Sequence, residues 1–312
     1  MEKAYFEIQW PREKLVLACY THDILNYRYN WHQSQYEITL LLHGKAEFCK
    51  ETCTRIMEED DLILVEPGIG HASFALCEDT YSLVIRFSDA IFSPLLRAGT
   101  SFLFPSCCTA QESRDSERFR QLRFYCAQTL MAASEGGPFA SIMIRSCLGM
   151  IASTLCRSFD PQVQERPKEN EWHAETVKRF ISYLENNYAS KLTLEDLARF
   201  SQYNRTYVST IFKNTVGLNF HEYLTRLRMR RALFELSTTS KNLTEVAIDN
   251  GFSDLKTFNT RFKEIFKCTP SEYRKRLVPG RVVPVFGQKN FIPVQDARIQ
   301  RKLNEYLHQT LL

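Results

Sequence analysis

Residues 192–217, LTLEDLARFSQYNRTYVSTIFKNTVG, and residues 243–275, LTEVAIDNGFSDLKTFNTRFKEIFKCTPSEYRK, carry nearly the same phrase twice. Phe212-Lys213 recurs fifty positions later as Phe262-Lys263, and Glu222-Tyr223 recurs as Glu272-Tyr273. Each copy opens with a short amphipathic acidic segment, continues through turn formers and ends in a second amphipathic segment. The simplest reading is two tandem helix-turn-helix units. Such a pair can place two helices in successive major grooves of DNA, which lie about one helical turn, ~34 Å, apart.

The spacing within each second helix separates a buried from an outward row. Asn204 fits an N-cap. After it, Val208, Ile211, Phe212 and Thr215 share one face, and Thr206, Ser209, Thr210 and Lys213 share the other, with Arg205 at the helix start. In the second copy Phe258, Phe262, Ile265 and Phe266 form the inward row, leaving Lys256, Asn259, Thr260 and Lys263 outward. Short hydroxyl and amide side chains can approach base edges, Asn suiting adenine and Thr offering a methyl to thymine. Lys213 and Lys263 are placed for backbone phosphate, which sets register without reading sequence. Between the copies, Phe220 to Leu236 reads as one rigid helix whose Arg226, Arg228, Arg230 and Arg231 are expected to give one or two phosphate contacts.

Charge is distributed to match. The 312 residues carry a net charge of +4, but residues 172–276 hold 18 basic and 11 acidic side chains, a balance of +7, leaving −3 elsewhere. A basic block inside a near-neutral chain is expected where one region meets phosphate. The ten cysteines show neither a CxxC pair nor zinc-ligand spacing, which points to reduced thiols and a cytoplasmic location. The first ten residues lack a signal-peptide core, and no apolar run reaches the ~18 residues of a membrane span. No membrane partner is expected.

The rest of the chain changes character. From Lys14 to Ser88, short apolar runs (15–20, 36–42, 46–49, 61–65 and 81–87) alternate with turn formers, as in a β-sandwich or barrel. Helical periodicity follows over 115–133 and 139–159, broken by Gly136-Gly137-Pro138, and reads as a helical hairpin that could serve dimerisation. Pro161 to Glu171, PQVQERPKENE, reads as an interdomain linker. Beyond Arg276 lies an extension whose Ile299, Leu303, Tyr306 and Leu307 form an apolar helical side without an evident partner. The expected class is α+β in two domains: a β-barrel over 1–110, a hairpin over 111–160, a linker over 161–171, an all-α double helix-turn-helix over 172–276, and the extension over 277–312.

The stretch from Val177 to Arg274 resembles the DNA-binding domain of the AraC/XylS family of bacterial transcription regulators. The two quoted phrases carry the likeness, the second through its Gly251-Phe252, the Phe258 and Phe262-Lys263 spacing, and Thr269-Pro270 followed by Tyr273-Arg274. The resemblance implies seven helices, two recognition helices, promoter binding and, often, activation through contact with RNA polymerase. Two positions depart from the pattern. Thr210 stands where many members carry arginine, and Lys267 replaces the usual glycine after the second recognition helix.

In the first 90 residues, Asn30-x-His32, Glu37, Gly44, Asp61, Pro67-Gly68 and His71 are similar to the paired cupin motifs, with Asn30 in place of the first histidine. A small-molecule effector is the preferred occupant of such a barrel mouth, held by Trp31, His32, Glu37, His71 and Arg86. No catalytic residue, cofactor or metal is assigned. The function expected is an effector-responsive, homodimeric transcription regulator, and an activator in particular, bound to double-stranded promoter DNA. The alternatives are a metal-dependent cupin enzyme fused to a DNA-binding module, since His32, Glu37 and His71 could form a facial triad, and a ligand-free protein-interaction scaffold with a DNA-binding domain.

Overall fold

A computed structural model describes residues 4–24, 28–50, 53–137, 139–165, 168–276 and 290–309. Nine strands fill the first 90 positions: β1 (Tyr5–Trp10), β2 (Leu15–Asp23), β3 (Arg28–Trp31), β4 (Gln35–His43), β5 (Lys45–Lys50), β6 (Cys53–Glu58), β7 (Leu62–Val65), β8 (Gly70–Ala75) and β9 (Tyr81–Ser88). β10 (Thr100–Leu103) precedes two long helices, α1 (Glu117–Glu135) and α2 (Ala140–Ser158), and β11 (Gln162–Glu165) follows them. Seven helices come next: α3 (Lys168–Asn187), α4 (Leu194–Ser201), α5 (Arg205–Val216), α6 (Phe220–Thr238), α7 (Leu243–Asp249), α8 (Leu255–Phe266) and α9 (Pro270–Arg276). β12 (Asn290–Ile292) and α10 (Ala297–Gln309) close the chain. Pro138 and part of the extension, residues 277–289 and 310–312, lie outside the described residues.

The strands form two antiparallel sheets, β1-β2-β9-β4-β7 with β12 on β2, and β3-β8-β5-β6. The expected barrel is therefore corrected to two facing sheets, with no ladder closing one onto the other among the described residues. The period of two in a strand sorts the packing. On β4, Ile38, Leu40 and Leu42 turn outward into a core shared with Phe119, Leu122 and Leu130 of α1 and Leu148 and Ile151 of α2. Leu41 turns inward, where Phe48, Met57, Ile63, Val65 and Ala75 fill the space between the sheets. On the second sheet the opposite face is covered too: Cys49, Ala72 and Phe74 join the core of the helical unit together with Val208, Phe212, Phe258 and Phe262. The order of layers is thus helices, first sheet, second sheet, helical unit.

Three sequence expectations change. The stretch read as a linker holds β11, which pairs antiparallel with β10, and the start of α3. The helical periodicity over 139–159 reads Ile142, Ser146, Met150 and Leu155 as one face, but Ile142 and Met150 lie on the exposed side of α2, because Ile144, Cys147, Leu148 and Ile151 take the core. The unpartnered extension has a partner: Ile292, Ile299, Leu303 and Tyr306 enter the core formed by α1 and the first sheet. There Lys302 meets Glu59 at 2.7 Å and Asp60 at 2.9 Å, and the Tyr306 hydroxyl donates to Asp60. No described helix is long and apolar enough to cross a membrane.

Candidate nucleic-acid interface

The repeat extends to the caps that start each helix. Thr193 and Asp196 form a reciprocal capping box on α4, and Asn242 and Glu245 form its counterpart on α7. Asn204 Oδ1 accepts the Tyr207 N–H at 2.8 Å, and Asp254 Oδ1 accepts the Thr257 N–H at 2.6 Å. After each second helix the pattern holds again, Asn219 with Glu222 on α6 and Thr269 with Glu272 on α9. Each cap satisfies helix-end N–H groups that have no partner within the helix, typically worth ~1 kcal/mol. The chain leaves α5 through Gly217 at φ 81°, whereas it leaves α8 through Lys267 at φ 57°. A left-handed lysine costs up to about 1 kcal/mol relative to glycine. Its ammonium partly offsets this by donating to the Glu264 carbonyl at 2.8 Å.

Two inward rows anchor the helices. Val208, Ile211 and Phe212 are buried on α5, as are Phe258, Phe262 and Phe266 on α8, while Thr215 and Ile265 are half-buried. Burying a phenylalanine contributes roughly 1.5–3 kcal/mol, so these rows fix which side faces solvent. On that side Arg205, Thr206, Ser209, Thr210 and Lys213 are exposed on α5. Lys256, Thr260 and Lys263 are exposed on α8, with Asn259 half-buried. Asn259 Oδ1 has no hydrogen-bond partner among the described residues. Thr260 turns its hydroxyl back to the Lys256 carbonyl at 2.9 Å, and Arg205 pairs with Glu195 at 2.9 Å.

The halves are joined tightly. Gly251, at φ 81°, sits so close to the end of α3 that a Cβ there would lie 2.8 Å from the Tyr188 carbonyl and 2.9 Å from Arg228 Nε. Arg228 donates to the carbonyls of Tyr188 at 2.8 Å and Ser190 at 2.9 Å, and Arg231 lies over the Tyr188 ring. Arg230 is buried near Glu185, and Arg226 pairs with Glu47 of β5. All four connector arginines, among which one or two phosphate contacts were expected, are therefore engaged inside the protein.

The other predicted residues gather between the sheets, with one exception. Glu37 and Arg86 are register partners on β4 and β9, so they share a face. His32 Nε2 lies 3.2 Å from one Glu37 oxygen and His71 Nε2 3.0 Å from the other. Burial opposes the charge on Glu37, but His71 and His32 outweigh it and hold the carboxyl well below its ordinary range. Burial lowers His32, against the pull of Glu37. Arg86 reaches His32 at 3.4 Å and the Tyr5 hydroxyl at 3.2 Å. Tyr5 was missed because it precedes the motif, and only the alternation of YFEIQW marks its strand. Trp31 is the exception: its indole donates to the Gly68 carbonyl, and its ring carries the Lys178 ammonium of α3 at 4.1 Å. A cleft of about 1110 Å³ opens between the second sheet and the helical unit, lined by Glu47, Ile56, Arg205, Ser209, Arg226 and Arg261 among others.

Residues 197–276 match the helix-turn-helix domain family. The Transposon Tn10 TetD protein of Escherichia coli is 32% identical over 113 residues, covering 36% of this chain and 82% of that protein. The chain belongs to the AraC/XylS family of transcription regulators. Two further relatives fit this AraC-family assignment. The Msm operon regulatory protein of Streptococcus mutans is 22% identical over 246 residues, 78% of this chain and 86% of that one. The HTH-type transcriptional activator AarP of Providencia stuartii is 29% identical over 107 residues, 34% and 79%. This AraC-family chain is a DNA-binding regulator of transcription and not an enzyme.

Proposed function

We propose that this regulator reads promoter DNA with the outward rows of α5 and α8 and that a small-molecule effector between its two sheets sets how well it does so. Thr206, Ser209, Thr210, Asn259 and Thr260 face base edges, and Arg205, Lys213, Lys256 and Lys263 meet phosphate. The observation that carries the coupling is the position of the second sheet. One of its faces holds His71 beside Glu37, and the other holds Ala72 and Phe74 in the core of the DNA-binding unit. A ligand that favours one arrangement of this sheet shifts the population of DNA-competent chains by its differential affinity for the two states. The cleft adds a direct reason, since Arg205 and Ser209 of the reading row line it opposite the sheet.

The strand-rich unit is on this reading a cupin-like sensor, with His32, Glu37, His71 and Arg86 as its polar anchors and Trp31 at its border with α3. The protein acts as a homodimer through α2, whose Ile142, Met143 and Met150, with Phe139 just before the helix, form an exposed apolar stripe. Gly149 lies on the same side with nothing within 4 Å of where a Cβ would be, which permits close approach of a second copy. The ten free thiols fit work in the cytoplasm, and activation proceeds through contact with RNA polymerase. Selecting bound sequences from random double-stranded DNA with the full chain, then footprinting the selected promoter, tests the reading. A doubled site whose occupancy changes with a small molecule is expected; no protected sequence under any effector condition would reject it.

A further inference from the structure

His32, Glu37 and His71 come from three separate places, the turn after β3, strand β4 and strand β8 on the facing sheet. Their donor atoms nevertheless lie within 4.8 Å of one another. Glu37 and His71 are buried, and His32 closes the cluster toward solvent with its side chain 19% exposed. The plain explanation is a carboxylate accepting one N–H from each imidazole. It fails at His32, whose Nε2 has Glu37 Oε2 at 3.2 Å and Arg86 Nη1 at 3.4 Å. A ring nitrogen presents either an N–H or a lone pair. As an N–H it faces the guanidinium donor, and as a lone pair it faces the carboxylate. Neither tautomer satisfies both neighbours.

A cation among the three groups removes the conflict with Glu37, because both Nε2 lone pairs and the carboxylate then point at one positive charge, and it leaves the Arg86 guanidinium, 3.4 Å from His32, to turn to another acceptor. The spacing is suitable. Nitrogen and oxygen ligands about 2.0–2.2 Å from a metal stand roughly 3 Å apart around it; His71 lies 3.0 Å from one Glu37 oxygen and His32 3.2 Å from the other, and all the donor atoms fall within 4.8 Å, so a small inward turn of the imidazoles closes the set on one ion. His71 is well oriented for ligation. Its Nδ1 lies 3.5 Å from the Ile69 carbonyl, the side on which a ligating histidine keeps its proton, and Phe48 stacks parallel to the ring. Arg86 Nε has no partner among the described residues, so the guanidinium retains donors for an oxygen of whatever fills the remaining coordination positions.

We propose that His32, Glu37 and His71 bind one divalent first-row transition-metal ion, with open positions beside Arg86. Two imidazoles and one carboxylate suit iron(II), nickel(II) or zinc(II) rather than magnesium or calcium, which prefer all-oxygen shells. The inference rests on the reading of this cluster as the effector site and names the ligand class it takes.

The test titrates the untagged, chelator-treated full chain with zinc(II) and with nickel(II) by calorimetry, and counts bound metal after dialysis. One ion per chain is expected, with affinity falling at least about tenfold in His32→Ala and in Glu37→Gln. His43→Ala, in the exposed pair with Glu59, should leave it unchanged. Circular dichroism confirms that each variant is folded, and His32→Gln replaces any that is not. A folded wild-type chain that binds no ion, or binding that survives both substitutions, overturns the proposal. DNA affinity measured on the same samples separates the two readings. Metal-independent modulation by an organic molecule in a chain that binds no ion rejects the metal and spares the effector site.

Discussion

Glu47 of β5 and Arg226 of α6 clasp each other across the boundary between the strand-rich and DNA-binding units, both carboxylate oxygens meeting the guanidinium Nε and Nη2. The pair is largely shielded from water, with side chains 12% and 17% exposed. Bidentate geometry makes it one of the stronger charge-assisted contacts a protein can form. In a double-mutant cycle of Glu47→Ala and Arg226→Ala followed by urea unfolding, a coupling of about 1–3 kcal/mol is expected. Additive losses would show that the pair does not hold the units together.

Lys263 is exposed at the far end of the outward row of α8. Lys263→Ala should weaken binding to all DNA sequences alike and reduce the slope of log affinity against log salt by roughly one. An unaltered slope contradicts a phosphate contact.

Asn259 is half-buried, and its amide oxygen is shielded from water with no partner among the described residues, so it must turn outward to read a base. Its replacement by alanine should relax preference at one or two base pairs and cost ~1–3 kcal/mol on the selected site. Equal loss on random DNA rejects base reading.

Ile142 is 66% exposed on the apolar side of α2. Ile142→Glu should leave the melting temperature of the chain nearly unchanged while shifting sedimentation from dimer to monomer. A dimer that persists moves the interface elsewhere.

Lys302 predicts a pH dependence. Burial opposes its charge, but Glu59, Asp60 and Glu305 outweigh that and raise it to about 12. A lysine raised above its unfolded value, about 10.4, contributes stability that is complete below that pH and is lost as pH rises toward 12. Lys302→Met should therefore be less stable than the parent from pH 7 to 10, with the difference shrinking by pH 12. Thermal melts across that range decide it, and a constant difference would assign the effect to packing.

The DNA-binding unit was readable because each of its rules is local. Asn204 caps, Phe212 and Phe262 anchor, and Phe212-Lys213 and Glu222-Tyr223 recur at one offset, so a single sequence exposes the duplication. The central strands were readable as apolar runs. β8 escaped because GHASFA is buried on both faces and shows no alternation. β11 escaped because QVQE joins β10 through backbone hydrogen bonds, which leave no apolar signature. The pairings of Glu47 with Arg226 and of α10 with α1 span more than a hundred positions, and nothing in the intervening residues announces them. In the candidate site the motif located His32, Glu37 and His71, while Tyr5 and the outward turn of Trp31 needed the sheets in place.

The return of β12 to the edge of β2 and of α10 to α1 has a mechanical consequence. A reading head secured at one end only could wander over a wide arc and accept operators of varied length. Here the chain on both sides of the reading head pairs with the strand-rich unit, β11 with β10 before it and β12 with β2 after it, and the head itself packs on the second sheet, so its orientation is tied to that unit. A pair of such heads would measure the gap between half-sites as calipers do, and inserting half a helical turn between them should abolish cooperative occupancy.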